Sequence, residues 1–191
     1  MIGKPFGNAD TVSYGIVSSG DNYYDGVDGR FSLVYTDVAG SEEASGIIAN
    51  VQGEVIGVID QTVSEQEGSN LIIGYGISDL KDVIELLSNG SQVPYIGICG
   101  MDVTEEMEKE DIPQGMYVKE VEVDSPAMEA GIQSGDVLIR MGSTSIQNCA
   151  AYRSALMKLG VDSEVTLTLE RQGSGGEYKE LDFDITVAAK E

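Results

Sequence analysis

Two runs of alternating side chains near the C-terminus constrain the fold more than any other feature of the chain. Val165, Leu167 and Leu169 alternate with Thr and Glu, and Leu181, Phe183, Ile185 and Val187 alternate with polar residues. The glycine-rich turn Gly173–Gly176 separates them. A period of two puts every second side chain on one face of a sheet, so this segment reads as a β-hairpin with one buried face. The first ninety residues carry the same signal in shorter pieces. Thr11–Val17, Phe31–Tyr35, Ile47–Asn50, Glu54–Ile59 and Leu71–Tyr75 read as strands, with a turn at Gln52-Gly53. Asp21–Arg30 reads as a loop or hairpin, and Ser41–Ser45 and the polar stretch Val63–Asn70 read as loops.

Helical spacing is confined to three places. Leu80, Val83, Ile84 and Leu87 form one apolar stripe, with Ser78 as N-cap and Gly90 as stop. Ser125-Pro126 opens a short helix that Gly131 closes. Asn148 caps a third, whose apolar residues are Ala151, Tyr152, Ala155, Leu156 and Leu159. Gly115–Val123 and Asp136–Met141 read as strands, and Met101–Pro113 as an acidic, irregular stretch. The fold class is therefore mainly β: an all-β first part and an α/β second part. Asn89–Pro94 has linker chemistry, which divides the chain into domains 1–91 and 92–191.

Charge excludes some functions. The chain holds 33 acidic and 11 basic residues, a net charge of −22. Residues 1–90 contribute 14 acidic and 3 basic, and residues 91–191 contribute 19 and 8, so the charge is no acidic tail. Such a field repels phosphate backbones and anionic headgroups, which argues against nucleic acid and membrane surfaces as partners. Cys99 and Cys149 make neither a disulfide framework nor a zinc set, and there is no histidine. No metal or cofactor is implied. The acidic tract Asp21–Gly29 lacks the spacing and closing Glu of a calcium loop and reads as solvated. No apolar run is long enough to span a membrane, and Met1–Gly7 lacks the apolar core of a signal peptide. That opening reads as the middle of a longer protein.

The second part resembles a PDZ domain of the kind attached to bacterial proteases. The matching pieces are Tyr95-Ile-Gly-Ile98, Gly115-Met-Tyr-Val118, Ser125-Pro-Ala-x-x-Ala-Gly131, Gly135-Asp-Val-Leu-Ile139 and the helix ending Leu156-x-x-Leu159-Gly160. The resemblance implies that an extended peptide adds to a sheet edge beside a helix. Backbone N–H groups of Tyr95, Ile96, Gly97 and Ile98 would hold its terminal carboxylate, Gly97 allowing close approach. Ile96 and Ile98, with Tyr152 and Leu156, would line an apolar pocket for its last side chain. The alternative is that these four are core residues.

The first part resembles the second β-barrel of an HtrA-type, DegP-like serine protease with the trypsin fold. Tyr14–Ser18, Thr36-Asp37, Ser45-Gly46, Gly53–Gly57 and Gly74–Ser78 followed by the Asp79–Leu87 helix keep the order and spacing of that barrel. The resemblance makes Ser45 the candidate nucleophile, followed by Gly46, with Glu43 and Ala44 as backbone of the oxyanion loop. The family's loop is Gly-Asn-Ser-Gly-Gly-Pro, whereas this chain has Glu43-Ala44-Ser45-Gly46-Ile47. The first barrel, which carries the family's histidine and aspartate, has no counterpart here. A Ser-His-Asp triad needs an imidazole to take the serine proton, so this chain alone is expected to be inactive. An apolar surface is expected to be exposed where that barrel would pack.

Two functions follow. In one, the chain is part of an HtrA-like endopeptidase for unfolded proteins in protein quality control, extracytoplasmic, trimeric, with any membrane tether outside this segment. In the other, the protease part is degenerate and the PDZ groove captures apolar C-terminal peptides. Glu43 and Ala44 favour the second reading, and Ser45-Gly46 the first.

Overall fold

The computed structural model describes residues 1–60, 63 and 70–190. They divide into two compact units: Met1–Tyr24 with Phe31–Ile84, and Asp25–Arg30 with Glu85–Glu191.

The first unit is built on one seven-stranded sheet. Its strands are β1 (Ile2–Lys4), β2 (Thr11–Val12), β3 (Val17–Gly26), β4 (Gly29–Ala39), β5 (Ser45–Ala49), β6 (Val55–Ile59) and β7 (Leu71–Gly76), in the order β2-β1-β5-β6-β7-β4-β3. Register is fixed by which side chains are buried. Ile48 and Ile59 lie with Ala44 and Ile72 in one core, and Leu33, Ile73 and Val63 in a second. Thr36, buried in β4, donates its hydroxyl to the Ile72 carbonyl at 2.8 Å, so its polar atom costs little to bury. Helix α1 (Ile77–Ser88) follows β7. The Asp79 carboxylate in its first turn accepts from the N–H and the hydroxyl of Ser32, both at 2.6 Å. The Ser91 N–H returns to the Leu86 carbonyl, and Gly90, at φ +70°, ends the helix.

The second unit contains β8 (Pro94–Tyr95), β9 (Ile98–Asp102), α2 (Glu105–Glu108), β10 (Met116–Val121), α3 (Pro126–Ala130), β11 (Val137–Met141), β12 (Thr144–Ser145), α4 (Cys149–Leu156), β13 (Glu164–Gln172), β14 (Tyr178–Thr186) and β15 (Ala188–Ala189). The main sheet runs β14-β13-β11-β10-β9, with β12 on β11, and β15 pairs β8 separately. The β13–β14 ladder pairs Val165 with Ile185, Leu167 with Phe183 and Leu169 with Leu181, as the alternation in the sequence requires. Leu167, Leu169, Ile185, Leu138, Met116 and Val118 form the core with Tyr152 and Leu156 of α4. Ser125 caps α3 through its hydroxyl, Pro126 takes the first helical position, and Gly131 closes it at φ +91°.

One buried ion pair pins this unit. Asp136 is 1% exposed and accepts two hydrogen bonds from Arg171, at 2.6 and 2.7 Å, and a third from the Gln133 N–H. Arg171 also donates to the Gly131 carbonyl and lies over the Phe183 ring. The pair therefore ties the end of α3 and the entry to β11 to the last hairpin.

The structure differs from the sequence reading in four places and decides between two forms in a fifth. The expected strand Thr11–Val17 is interrupted, because the Asp37 side chain takes the Ile16 N–H at 2.7 Å where a ladder partner would be. Of the two forms expected for residues 21–30, loop or hairpin, the structure has the hairpin: β3 and β4 run through them around a tight turn at Val27-Asp28. Met1–Gly7 contains β1, which pairs both β2 and β5. Met101–Pro113 holds the end of β9 and the helix α2, capped by Thr104. Ser45 is the first residue of β5, opposite Lys4 of β1, and not part of a loop. The expected polar loop Val63–Asn70 lies largely outside the described residues. Apolar side chains at the N-terminal end of the sheet are open to solvent, with Tyr14 92% and Ile16 71% exposed.

Replacing Arg171 by Ala leaves the Asp136 carboxylate buried without its cation. Urea unfolding is expected to show a loss of about 3 kcal/mol. Arg171→Lys recovers only part of it, since an ammonium cannot make the two-pronged contact.

Candidate carboxylate-binding groove

Strand β9 is the last strand of the main sheet, paired with β10, and α4 packs beside it. An edge strand next to a helix is the geometry that accepts an extended peptide. At its start, the loop from β8 into β9 turns so that consecutive N–H groups point one way. Gly97 makes this possible at φ +93°, and a Cβ there would collide with the Ser125 side chain. The loop is backed by two further bonds. The Ile96 carbonyl accepts from Ala127 at the start of α3, and the Gly97 carbonyl from Glu122.

The group that these amides hold is the side chain of Asp28. Its Oδ2 accepts from the N–H of Ile96 at 2.8 Å and of Gly97 at 2.9 Å. Its Oδ1 accepts from Gly97 at 3.1 Å, from Ile98 at 3.0 Å and from the Tyr152 hydroxyl at 2.6 Å. Asp28 is 3% exposed and sits at φ +57°, in the left-handed region that Asp tolerates at a tight turn. Its own N–H donates to the Ile98 carbonyl at 2.8 Å, and Val27 bridges Cys99 in the antiparallel sense. Ion pairs flank the turn: Arg30 with Asp25 at 3.3 Å and Asp102 at 2.8 Å, and Lys119 with Asp25 at 3.5 Å.

The residues proposed from sequence are thus placed as follows. Ile96, Gly97 and Ile98 converge through their backbones on one carboxylate. The side chains of Ile96, Ile98, Tyr152 and Leu156 are wholly buried in the core of this unit. The Tyr152 hydroxyl faces the carboxylate, and burial together with that neighbour pushes its ionisation well above the ordinary phenol range. The Tyr95 hydroxyl lies near Gly97 and donates to Glu122 at 2.7 Å. Burial, with that carboxylate second, raises its pKa as well. The sequence reading missed Asp28 and placed it in a solvated acidic tract. The available signal was the dipeptide Asp28-Gly29, which marks a tight hairpin turn.

The other candidate, Ser45, is exposed. Gly46 follows at φ +138° and packs against the backbone of Ile2 and Gly3. Ala44 is buried, and its N–H is committed to the Ser41 carbonyl at 2.9 Å. Glu43 is exposed, with its carboxylate beside Gly7. No group of three or more metal-binding side chains, and no helix long and apolar enough to cross a membrane, occurs among the described residues.

The PDZ domain family model matches residues 73–187. More than half of the chain is covered, and the chain belongs to the PDZ-domain family. The periplasmic serine endoprotease DegP of Salmonella typhimurium is 32% identical over 180 residues, covering 90% of this chain and 38% of that protein. The serine protease Do-like HtrB of Bacillus subtilis is 30% identical over 193 residues, covering 90% and 42%. The chain therefore spans about two fifths of the length of these DegP/HtrA relatives. Among solved structures, the HtrA-type protease AlgW with tripeptide superposes with a TM-score of 0.57 at 18% identity, covering 100% of this chain and 64% of that one. The serine endoprotease from Yersinia pestis gives 0.53 at 22%, covering 100% and 61%. The fold is mainly β with a PDZ domain, as in HtrA proteases.

Both cysteines are free thiols. Burial raises the Cys149 thiol most, with Asp102 adding to it, and burial also raises Cys99, whose Sγ donates to the Asp25 carbonyl. Raised pKa values mean scarce thiolate near neutral pH. A disulfide reagent at pH 8 should label the folded chain far more slowly than the urea-unfolded chain. The native rate should keep climbing above the ordinary thiol range.

Proposed function

We propose that residues 92–191 form a peptide-binding domain that captures apolar protein C-termini. On this reading residues 1–91 correspond to the second half of an HtrA-like protease domain. The observation that carries it is the convergence of the Ile96, Gly97 and Ile98 amides on a single carboxylate at the edge of β9. A carboxylate held by backbone N–H groups is recognised by its shape and charge, whichever residue carries it. Strand addition to β9 would supply the main-chain bonds. AlgW, which shares this fold, was solved with a decapeptide and with a tripeptide.

Binding is tested by fluorescence anisotropy on hexapeptides ending in Val, Leu or Phe. Free-acid peptides are expected to bind and their C-terminal amides to bind at least about tenfold more weakly, since one anionic oxygen and its hydrogen bonds are lost. Equal binding of acids and amides would sink the carboxylate reading.

The names of the relatives favour a second activity. DegP and HtrB are called serine proteases, and Ser45-Gly46 lies in the matching region. On this reading Ser45 is the nucleophile of a larger, trimeric endopeptidase serving protein quality control outside the cytoplasm. Its base would have to come from beyond these 191 residues, which hold no imidazole. A fluorophosphonate probe should label the full-length protein and not its Ser45→Ala form, and should leave the 191-residue chain unlabelled. An unlabelled but folded full-length protein would leave peptide binding as the sole function.

A further inference from the structure

The carboxylate in the cradle belongs to the chain itself. We propose that the turn Asp25–Arg30 is an internal ligand that closes the groove, so that a peptide C-terminus binds only by displacing Asp28. This inference rests on the peptide-binding reading above.

Three observations make the two occupants mutually exclusive. The same chemical group is bound, and each of the three loop amides donates to it. The Tyr152 hydroxyl, which would otherwise face the incoming carboxylate, is spent on Asp28 Oδ1. The edge of β9 is also taken at its first positions, by the Asp28 N–H on the Ile98 carbonyl and the bridge from Val27 to Cys99. Asp28 is sealed from water, so there is no room beside it for a second anion.

The turn is nevertheless built to leave. It holds the edge through one isolated bridge and not a continuous ladder. Two of its flanking ion pairs, Arg30 to Asp102 and Lys119 to Asp25, are partly exposed and therefore weak and screened by salt. Its ends continue into β3 and β4, so it stays close to the groove after release. A peptide then competes with a tethered group at high effective concentration. The measured affinity falls by the fraction of molecules whose cradle is open.

Two measurements on the full 191-residue chain decide this. The first compares the wild type with Asp28→Asn, which keeps the shape and removes the charge, using the free-acid hexapeptides and their amides. Asp28→Asn is expected to tighten free-acid binding by about tenfold or more, as for a cradle open less than about a tenth of the time. The second follows amide hydrogen exchange in the wild type, which does not depend on the variant folding. The Asp28 amide should be protected in the free protein and lose protection when free-acid peptide is added, while the Gly97 amide stays protected. If acids bind both forms equally, or bind while the Asp28 amide stays protected, internal closure is overturned and peptide binding stands. If no peptide binds either folded form, both fall together.

Discussion

The N–H groups of Ile96, Gly97 and Ile98 are turned to a common point by one glycine in a left-handed conformation, and a buried amide must find an acceptor. Three donors aimed at one spot cannot be satisfied by one carbonyl; they call for a group with two oxygens and a negative charge. Much of the second unit follows from that demand. Ser125 packs against Gly97, and α3 and Glu122 lock the loop from behind. Tyr152 presents its hydroxyl from α4, and β9, paired with β10, takes the Val27-Asp28 turn along the start of its other side. The overall negative charge of the chain makes the cradle unusual within it, as a place where anionic groups are welcome.

Two buried aspartates serve this unit differently. Asp136 is neutralised by a guanidinium and joins α3 and β11 to the last hairpin; its role ends with the fold. Asp28 is held by neutral donors, with no cation in direct contact among the described residues, and its neighbours Asp25 and Arg30 carry the ion pairs. A carboxylate bound by dipoles alone can be exchanged for another carboxylate at little cost, whereas one bound to an arginine cannot leave without stranding a charge.

Local chemistry made much of the fold legible. The period of two in Val165–Leu169 and Leu181–Val187 gave the β13–β14 register, and Ser125-Pro126 with Gly131 gave the bounds of α3. Gly97 was legible too, because a glycine between two isoleucines implies backbone approach and not packing. The partner of that loop was not. Asp28 lies about seventy positions earlier in a tract that looks hydrophilic, and nothing in its own neighbourhood says it is buried. The apolar helix stripe misled in the opposite sense: in α1, Ile84 and Leu87 are exposed. Ser45 shows the same limit, since a motif fixes the residue and its neighbours but not what lies across from it.

The second unit is discontinuous in sequence, taking six residues from the middle of the first. A domain cut at residue 92 would keep every strand and helix from β8 to β15 and lose Asp28. Such a piece would carry a cradle that is always open, where the longer chain opens its own only part of the time, and would bind C-termini more avidly than its parent. An affinity measured on that piece would describe the lock with its own key removed.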